Sequence, residues 1–200
     1  MLFVNSTKVE ELIKNSPAGK NTKFLSAAHS LWYRFKNYEK CPPMAYEDNG
    51  EVVCLIFATF NRDGYANLYE IVTLEGKEGK GYASKCWDVW IKYAVEERNT
   101  KRLKISCTPS SVSWHLRNGL VFWAVDPTGS LRSDQPLFPT RQEQLDWRNK
   151  AIVSPLQALP PYKAREQFRG EGLEFYKWGD KKKAKSQAAI DAVGQAWLRE

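Results

Sequence analysis

The stretch EGKEGKGYASK, Glu75 to Lys85, sets Gly76, Gly79 and Gly81 among Lys77, Lys80 and Lys85, then runs into an apolar segment bearing two tryptophans. Ahead of it, ANLYEIVTL (Ala66 to Leu74) is β-branched and aromatic, as a strand is. Behind it, Ala83, Cys86, Trp87, Trp90, Ile91, Ala94 and Val95 recur at three- and four-residue spacing. That period predicts an amphipathic helix from Gly81 to about Asn99. A strand, a glycine turn and a helix therefore follow one another. The first N–H groups of such a helix lack carbonyl partners and sit at the positive end of its dipole. Small residues at Gly79, Gly81 and Ala83 let an anion approach that backbone closely.

Two phosphate motifs are excluded. Gly76 and Gly81 have the P-loop spacing, but Tyr82 and Ala83 stand where Lys and Ser/Thr must follow. The dinucleotide fingerprint needs a third glycine at Ser84, and its parallel setting is missing as well.

Outward from the turn, Asp48-Asn49-Gly50 separates Ala45-Tyr46 from the apolar run Val52 to Phe60, a strong hairpin signal. Asn61-Arg62-Asp63-Gly64 marks a second turn, so three strands make an antiparallel meander. Lys8 to Lys14 and Asn21 to Tyr38 read as helices, the second closed by Cys41-Pro42-Pro43. Past the central helix come a strand at Leu103 to Cys107, a short helix at Ser110 to Arg117 ending at Asn118-Gly119, and strands at Leu120 to Val125 and Leu131 to Phe138. This order predicts an α/β (α+β layer) fold with a mixed, mostly antiparallel sheet flanked by helices. Residues 1–139 form the expected main domain. Residues 140–200 form an extension: a polar helix at Arg141 to Lys150, a linker at Pro155 to Pro161 and a basic helix at Asp180 to Leu198.

The chain has 200 residues and a net charge of +7, which permits an anionic partner; part of the excess lies in Lys181-Lys182-Lys183-Ala184-Lys185. Cys41, Cys54, Cys86 and Cys107 are far apart, and with only His29 and His115 beside them they give no zinc spacing, so no metal is expected. Reduced, buried cysteines and the lack of a signal or membrane-length apolar run point to a cytoplasmic setting.

In motifs and element order, residues 1–135 resemble the GNAT (GCN5-related N-acetyltransferase) superfamily. The family's Arg/Gln-x-x-Gly-x-Gly/Ala signature reads here Glu78-Gly79-Lys80-Gly81-Tyr82-Ala83. Its later short helix and Gly-aromatic pair read His115-Leu116-Arg117-Asn118-Gly119-Leu120. The resemblance implies an acyl-CoA-dependent N-acyltransferase with acetyl-CoA as co-substrate. Gly79, Lys80, Gly81, Tyr82, Ala83 and Ser84 would hold the pyrophosphate, and Val72, Thr73 and Leu74 would pair with the pantetheine arm. The chain departs from the family pattern at Glu78, where Arg or Gln is usual, and at His115, where a proton-donating Tyr is common.

Direct acyl transfer to a primary amine needs a base, an oxyanion donor and a proton for the leaving thiolate. Glu70 is the candidate base, although alternation along the strand turns either Glu70 or Tyr69 to the site side. A strand N–H near Leu74 is the expected oxyanion donor, and His115 the expected acid. Cys107 reads as structural. The expected partners are an acyl-CoA and an amine of unassigned class, with a homodimer compatible with the reading. A fold recruited to bind or modify nucleic acid, like the phage Mom proteins that resemble this superfamily, is one alternative. It would use the basic tail with Phe168, Phe175, Tyr176, Trp178 and Trp197. A degenerate, non-catalytic fold is the other alternative, with Glu78 as its best argument.

Overall fold

The computed structural model describes residues 2–4, 6–15, 22–36, 43–122, 124–126, 128–151 and 179–197. The expected linker at 155–161, Cys41, and the aromatics at 168, 175, 176 and 178 lie outside them, as does the side chain of Trp197. Two compact units divide the chain, Met1–Lys101 and Arg102–Glu200.

The first unit holds four antiparallel strands in the order β1 (Leu2–Val4), β2 (Met44–Asp48), β3 (Glu51–Phe60) and β4 (Tyr65–Thr73). Strand β1 was not anticipated; three residues are too few to show a period. The β2–β3 hairpin pairs Asp48 with Glu51 across two residues, Asn49 (φ 49°) and Gly50 (φ 81°). Positive φ at both is what a primed turn requires, and Asn-Gly supplies it. Every residue from Val52 to Ala58 is buried, so β3 is covered on both faces.

One covering layer is helical: α1 (Thr7–Lys14), then α2 (Lys23–Ala27), a π-helical turn (Ala28–Trp32) and α3 (Tyr33–Phe35). Phe24, Ala27, Ala28, Trp32 and Phe35 pack with Val9 and Ile13 onto Leu55, Phe57 and Val72. The single helix expected over Asn21 to Tyr38 is thus interrupted by a wide turn, a feature that often marks functional positions. The other cover is α4 (Tyr82–Glu96), which buries Cys86, Trp87, Trp90, Ile91 and Ala94 as its period predicts. Trp87 and Trp90 stack at 5.2 Å, and Phe60 of β3 lies 6.1 Å from Trp90.

In the second unit, β5 (Arg102–Cys107) pairs antiparallel with β7 (Leu131–Pro136), which pairs with the short β6 (Ala124–Val125). Leu120, Val121 and Phe122 are buried but lie outside β6, so that strand is shorter than expected. Helix α5 (Val112–Arg117) follows a 3-10 turn at Pro109–Ser111. The residues expected as an extension complete this unit. Helix α6 (Arg141–Ala151) sends Arg148 Nη1 to donate to Leu116 O at 2.6 Å, a carbonyl that also accepts the Gly119 N–H at 2.9 Å. Helix α7 (Asp180–Trp197) buries Ser186, Ala189, Val193 and Ala196, and Ser186 Oγ donates to Asp126 O at 2.9 Å.

Gly119 is the tightest glycine position. It has φ +76°, and a Cβ there would lie 2.8 Å from the backbone carbon of Gln144 and 2.9 Å from Leu145 N. Gly119→Ala is therefore expected to cost about 2–4 kcal/mol, combining left-handed strain with overpacking against backbone that cannot swing aside. Chemical denaturation of the variant beside wild type checks this; a midpoint unchanged from wild type would contradict the packing.

Candidate active site

The glycine turn and the start of α4 are built as an open loop. Gly76, Gly79 and Gly81 all have positive φ, between 74° and 79°, and a Cβ on any of them would meet nothing within 4 Å. Gly81 is the N-cap residue of α4 and supplies no side chain to cap it. The helix ladder begins with the bond from Lys85 N to Gly81 O at 3.0 Å.

The charges around the loop are partly engaged. Lys77 donates to Glu51 at 2.6 Å, and Lys85 Nζ lies 5.4 Å from the centre of the Tyr82 ring. Tyr82 hydrogen-bonds Asp48, which raises the phenol pKa. Glu78 Oε2 accepts the Gly76 N–H at 2.7 Å, so its carboxylate folds back into the turn. It still adds negative charge beside the start of α4, where a phosphate is expected. Glu78→Gln keeps an acceptor for Gly76 and removes the charge, so acetyl-CoA affinity is expected to rise about three- to tenfold. The gain should shrink with added salt. Titration at two ionic strengths reads it, and an unchanged or weaker affinity would mean the carboxylate does not face the phosphates.

Strand β4 carries a bulge that the sequence did not reveal. Phe57 of β3 pairs with Glu70, but the next residue, Ala58, pairs with Leu68, leaving Tyr69 as the extra residue. An inserted residue turns the strand and re-aims the side chains beside it. Glu70, opposite Phe57, therefore lies on the face covered by α2 and the π-helical turn. Tyr69 reaches that side too, its ring 5.4 Å from Phe35 in an edge-on contact, while remaining 54% exposed. Sequence alternation offered one of the two; the bulge brings both.

Glu70 closes an open pocket of about 290 Å³ whose other lining residues are Thr22, Lys23, Ser26, Ala27 and Ser30. Burial raises its carboxyl pKa, and the charge of Lys23 pulls in the opposite direction. The net shift is upward from the ordinary glutamate value.

Farther along β4, Leu74 N donates to Val53 O at 2.9 Å, so this amide, the expected oxyanion donor, is committed to β3. By alternation, the backbone groups of Thr73 face away from β3 and those of Val72 face towards it.

In the second unit, His115 is only 6% exposed, edge-on to Trp114 at 4.9 Å and Phe122 at 6.1 Å. Burial lowers its pKa to about 4, so the ring is neutral at neutral pH. A neutral imidazole is a poor proton donor to a thiolate, and these surroundings do not support the expected acid role. Cys107, pushed up to about 12 by burial, stays a thiol, in line with a structural residue. Among the described residues, no cluster of three His, Cys, Asp or Glu side chains could hold a metal, and no helix is long and apolar enough to cross a membrane. In the basic tail, Lys181, Lys182 and Lys185 are exposed.

Residues 9–119 match the family model of the acetyltransferase (GNAT) family. The chain belongs to the GNAT family. No curated protein matches it at a significant level. Among solved structures, a mutant form of the spermidine N-acetyltransferase SpeG from Vibrio cholerae superposes with a TM-score of 0.55 at 15% identity, covering 72% of this chain and 95% of that one. SpeG from the same organism in complex with manganese ions gives 0.53 at 14% identity, covering 76% and 96%. Ard1 from Thermoplasma volcanium gives 0.51 at 16% identity, covering 69% and 97%. At these identities the likeness is one of fold: the mixed α/β, mostly antiparallel GNAT architecture flanked by helices. Membership makes this an acetyltransferase-family protein whose relatives use acetyl-CoA as co-substrate.

Proposed function

We propose that the protein transfers an acyl group, acetyl in the first instance, from coenzyme A to a primary amine by direct attack. The observation that carries this reading is the β4 bulge, which turns Glu70 into a pocket on the strand that leads to the glycine cradle. Backbone amides from Gly79 to Ser84, with Lys80, receive the pyrophosphate at the start of α4. The outward backbone groups of Thr73 suit pairing with pantetheine.

Glu70 takes the proton of the bound ammonium, directly or through water, and frees the nitrogen lone pair. The nitrogen attacks the thioester carbonyl, forming a C–N bond and an oxyanion. The Tyr69 bulge, where the register against β3 shifts, is the stretch of β4 from which a backbone N–H would serve that oxyanion. The nitrogen gives up its second proton to water, the oxyanion collapses to reform the C=O bond, the C–S bond breaks and the thiolate departs. With a pKa near that of an ordinary thiol, it can take its proton from water, and His115 is not carried into this scheme. The buried free thiols Cys54, Cys86 and Cys107 suit a reducing, cytoplasmic setting.

Release of free coenzyme A thiol from acetyl-CoA, measured with and without a panel of primary amines, tests the reading. Release that depends on the amine, with N-acetylated product in equal amount, is expected. Binding of acetyl-CoA with no amine-dependent release would favour a degenerate fold instead.

A further inference from the structure

The pocket beside Glu70 has a composition that selects among amines, and the inference drawn from it rests on the acyl-transfer reading. Thr22, the N-cap of α2, Ser26 within α2 and Ser30 in the π-helical turn all line the pocket. Their hydrogen-bonding capacities differ. Thr22 Oγ1 already accepts the Leu25 N–H at 3.2 Å, so what it offers the pocket is its O–H donor. Ser30 Oγ spends its proton on Ser26 O at 2.7 Å, so it offers lone pairs. The Ser26 hydroxyl can do either. Lys23 sits beside Thr22 and adds a cation with three donors.

Thr22 and Lys23 therefore supply donors and Ser30 and Glu70 acceptors, with Lys23 close enough for its charge to act on Glu70. Glu70 is the pocket's one acidic lining residue among those described, and Lys23 its one basic residue. A polyamine would set a second ammonium against Lys23 with no second carboxylate to receive it. An amine bearing its own anion leaves neither charge unmatched.

We propose that the acceptor is a small zwitterion, a primary amine with a carboxylate or phosphate close by. Glu70 receives the ammonium, while Lys23 and the Thr22 hydroxyl hold the anionic group. Lys23 is then a specificity-determining residue for the transfer.

The test compares four acceptors with acetyl-CoA: glycine, O-phosphoethanolamine, ethanolamine and spermidine, on wild type and on Lys23→Glu. Rates are taken at alkaline pH, where Glu70 is ionised in both proteins. An acidic residue in the first turn of a helix is well tolerated, so the variant should fold, and its thermal melt and acetyl-CoA binding confirm that. Wild type is expected to favour the anion-bearing amines over ethanolamine at least about tenfold in kcat/KM, carried by KM. Lys23→Glu should raise their KM, lower that of spermidine and so reverse the order. Glycine against O-phosphoethanolamine tells a carboxylate site from a phosphate site. A wild type that prefers spermidine or ethanolamine, or a variant with the wild-type order, overturns the role of Lys23 and leaves acyl transfer standing. Release with none of the four, while acetyl-CoA still binds, overturns the small-zwitterion acceptor; only a failure across the wider amine panel would reach the acyl-transfer reading itself.

Discussion

Glu70→Gln is expected to lower kcat by about 10²- to 10⁴-fold while leaving acetyl-CoA binding intact, the range that removal of a positioned general base usually costs. Glutamine keeps the shape of the side chain but loses both the ability to take a proton and the negative charge that receives the ammonium. The pH profile carries a second signature. Burial raises the Glu70 pKa, with Lys23 opposing it, and only the ionised carboxylate can act as base. The wild-type rate should therefore rise with pH through a value above the ordinary carboxylate range, and that limb should vanish in the variant. Stability moves in the opposite sense. A carboxyl whose folded pKa is raised contributes stability below its unfolded pKa and loses it as pH rises through the folded value. Once ionised, Glu70 therefore opposes folding, and at pH above its folded pKa Glu70→Gln should melt no lower than wild type. A variant that keeps wild-type kcat would remove Glu70 from the chemistry.

Gly81→Glu should abolish measurable acetyl-CoA binding, a loss of more than about 100-fold. Two effects act together. Gly81 has φ +79°, where a side chain costs about 1–2 kcal/mol of backbone strain. The new carboxylate also stands at the N-cap of α4, where the phosphates are expected. Gly81→Ala separates the two effects. The space in front of Gly81 is open, so alanine brings strain without a steric block, and its loss of affinity should be much smaller. Both variants should remain folded by circular dichroism, because nothing packs against that position. Equal losses in the two would assign the effect to backbone strain alone.

Much of the scaffold was legible because it rests on local period and turn chemistry. Asn49-Gly50 fixed the β2–β3 hairpin, and the three- and four-residue spacing from Ala83 to Ala94 fixed α4 and its buried face. The bulge at Tyr69 was not legible, since one inserted residue changes which face a side chain meets without changing composition. It left Glu70 and Tyr69 as alternatives when both reach the helical side. The commitment of the Leu74 amide to Val53 depends on pairing register, which sequence does not carry. His115 read as a titrating group because its motif position suggested one, but Trp114 and Phe122 bury it and hold it neutral. Helices α6 and α7 read as an appendage because they are polar. They also bury polar side chains, Gln144, Arg148 and Ser186, that resemble surface residues in a sequence, beside the apolar Ala189, Val193 and Ala196 of α7.

Calorimetric titration of the wild-type protein with acetyl-CoA is the most direct measurement. Saturable binding at one site per chain, lost in Gly81→Glu, is the expected result. A folded protein that binds no acyl-CoA at all would contradict acyl transfer and leave a GNAT fold without its donor.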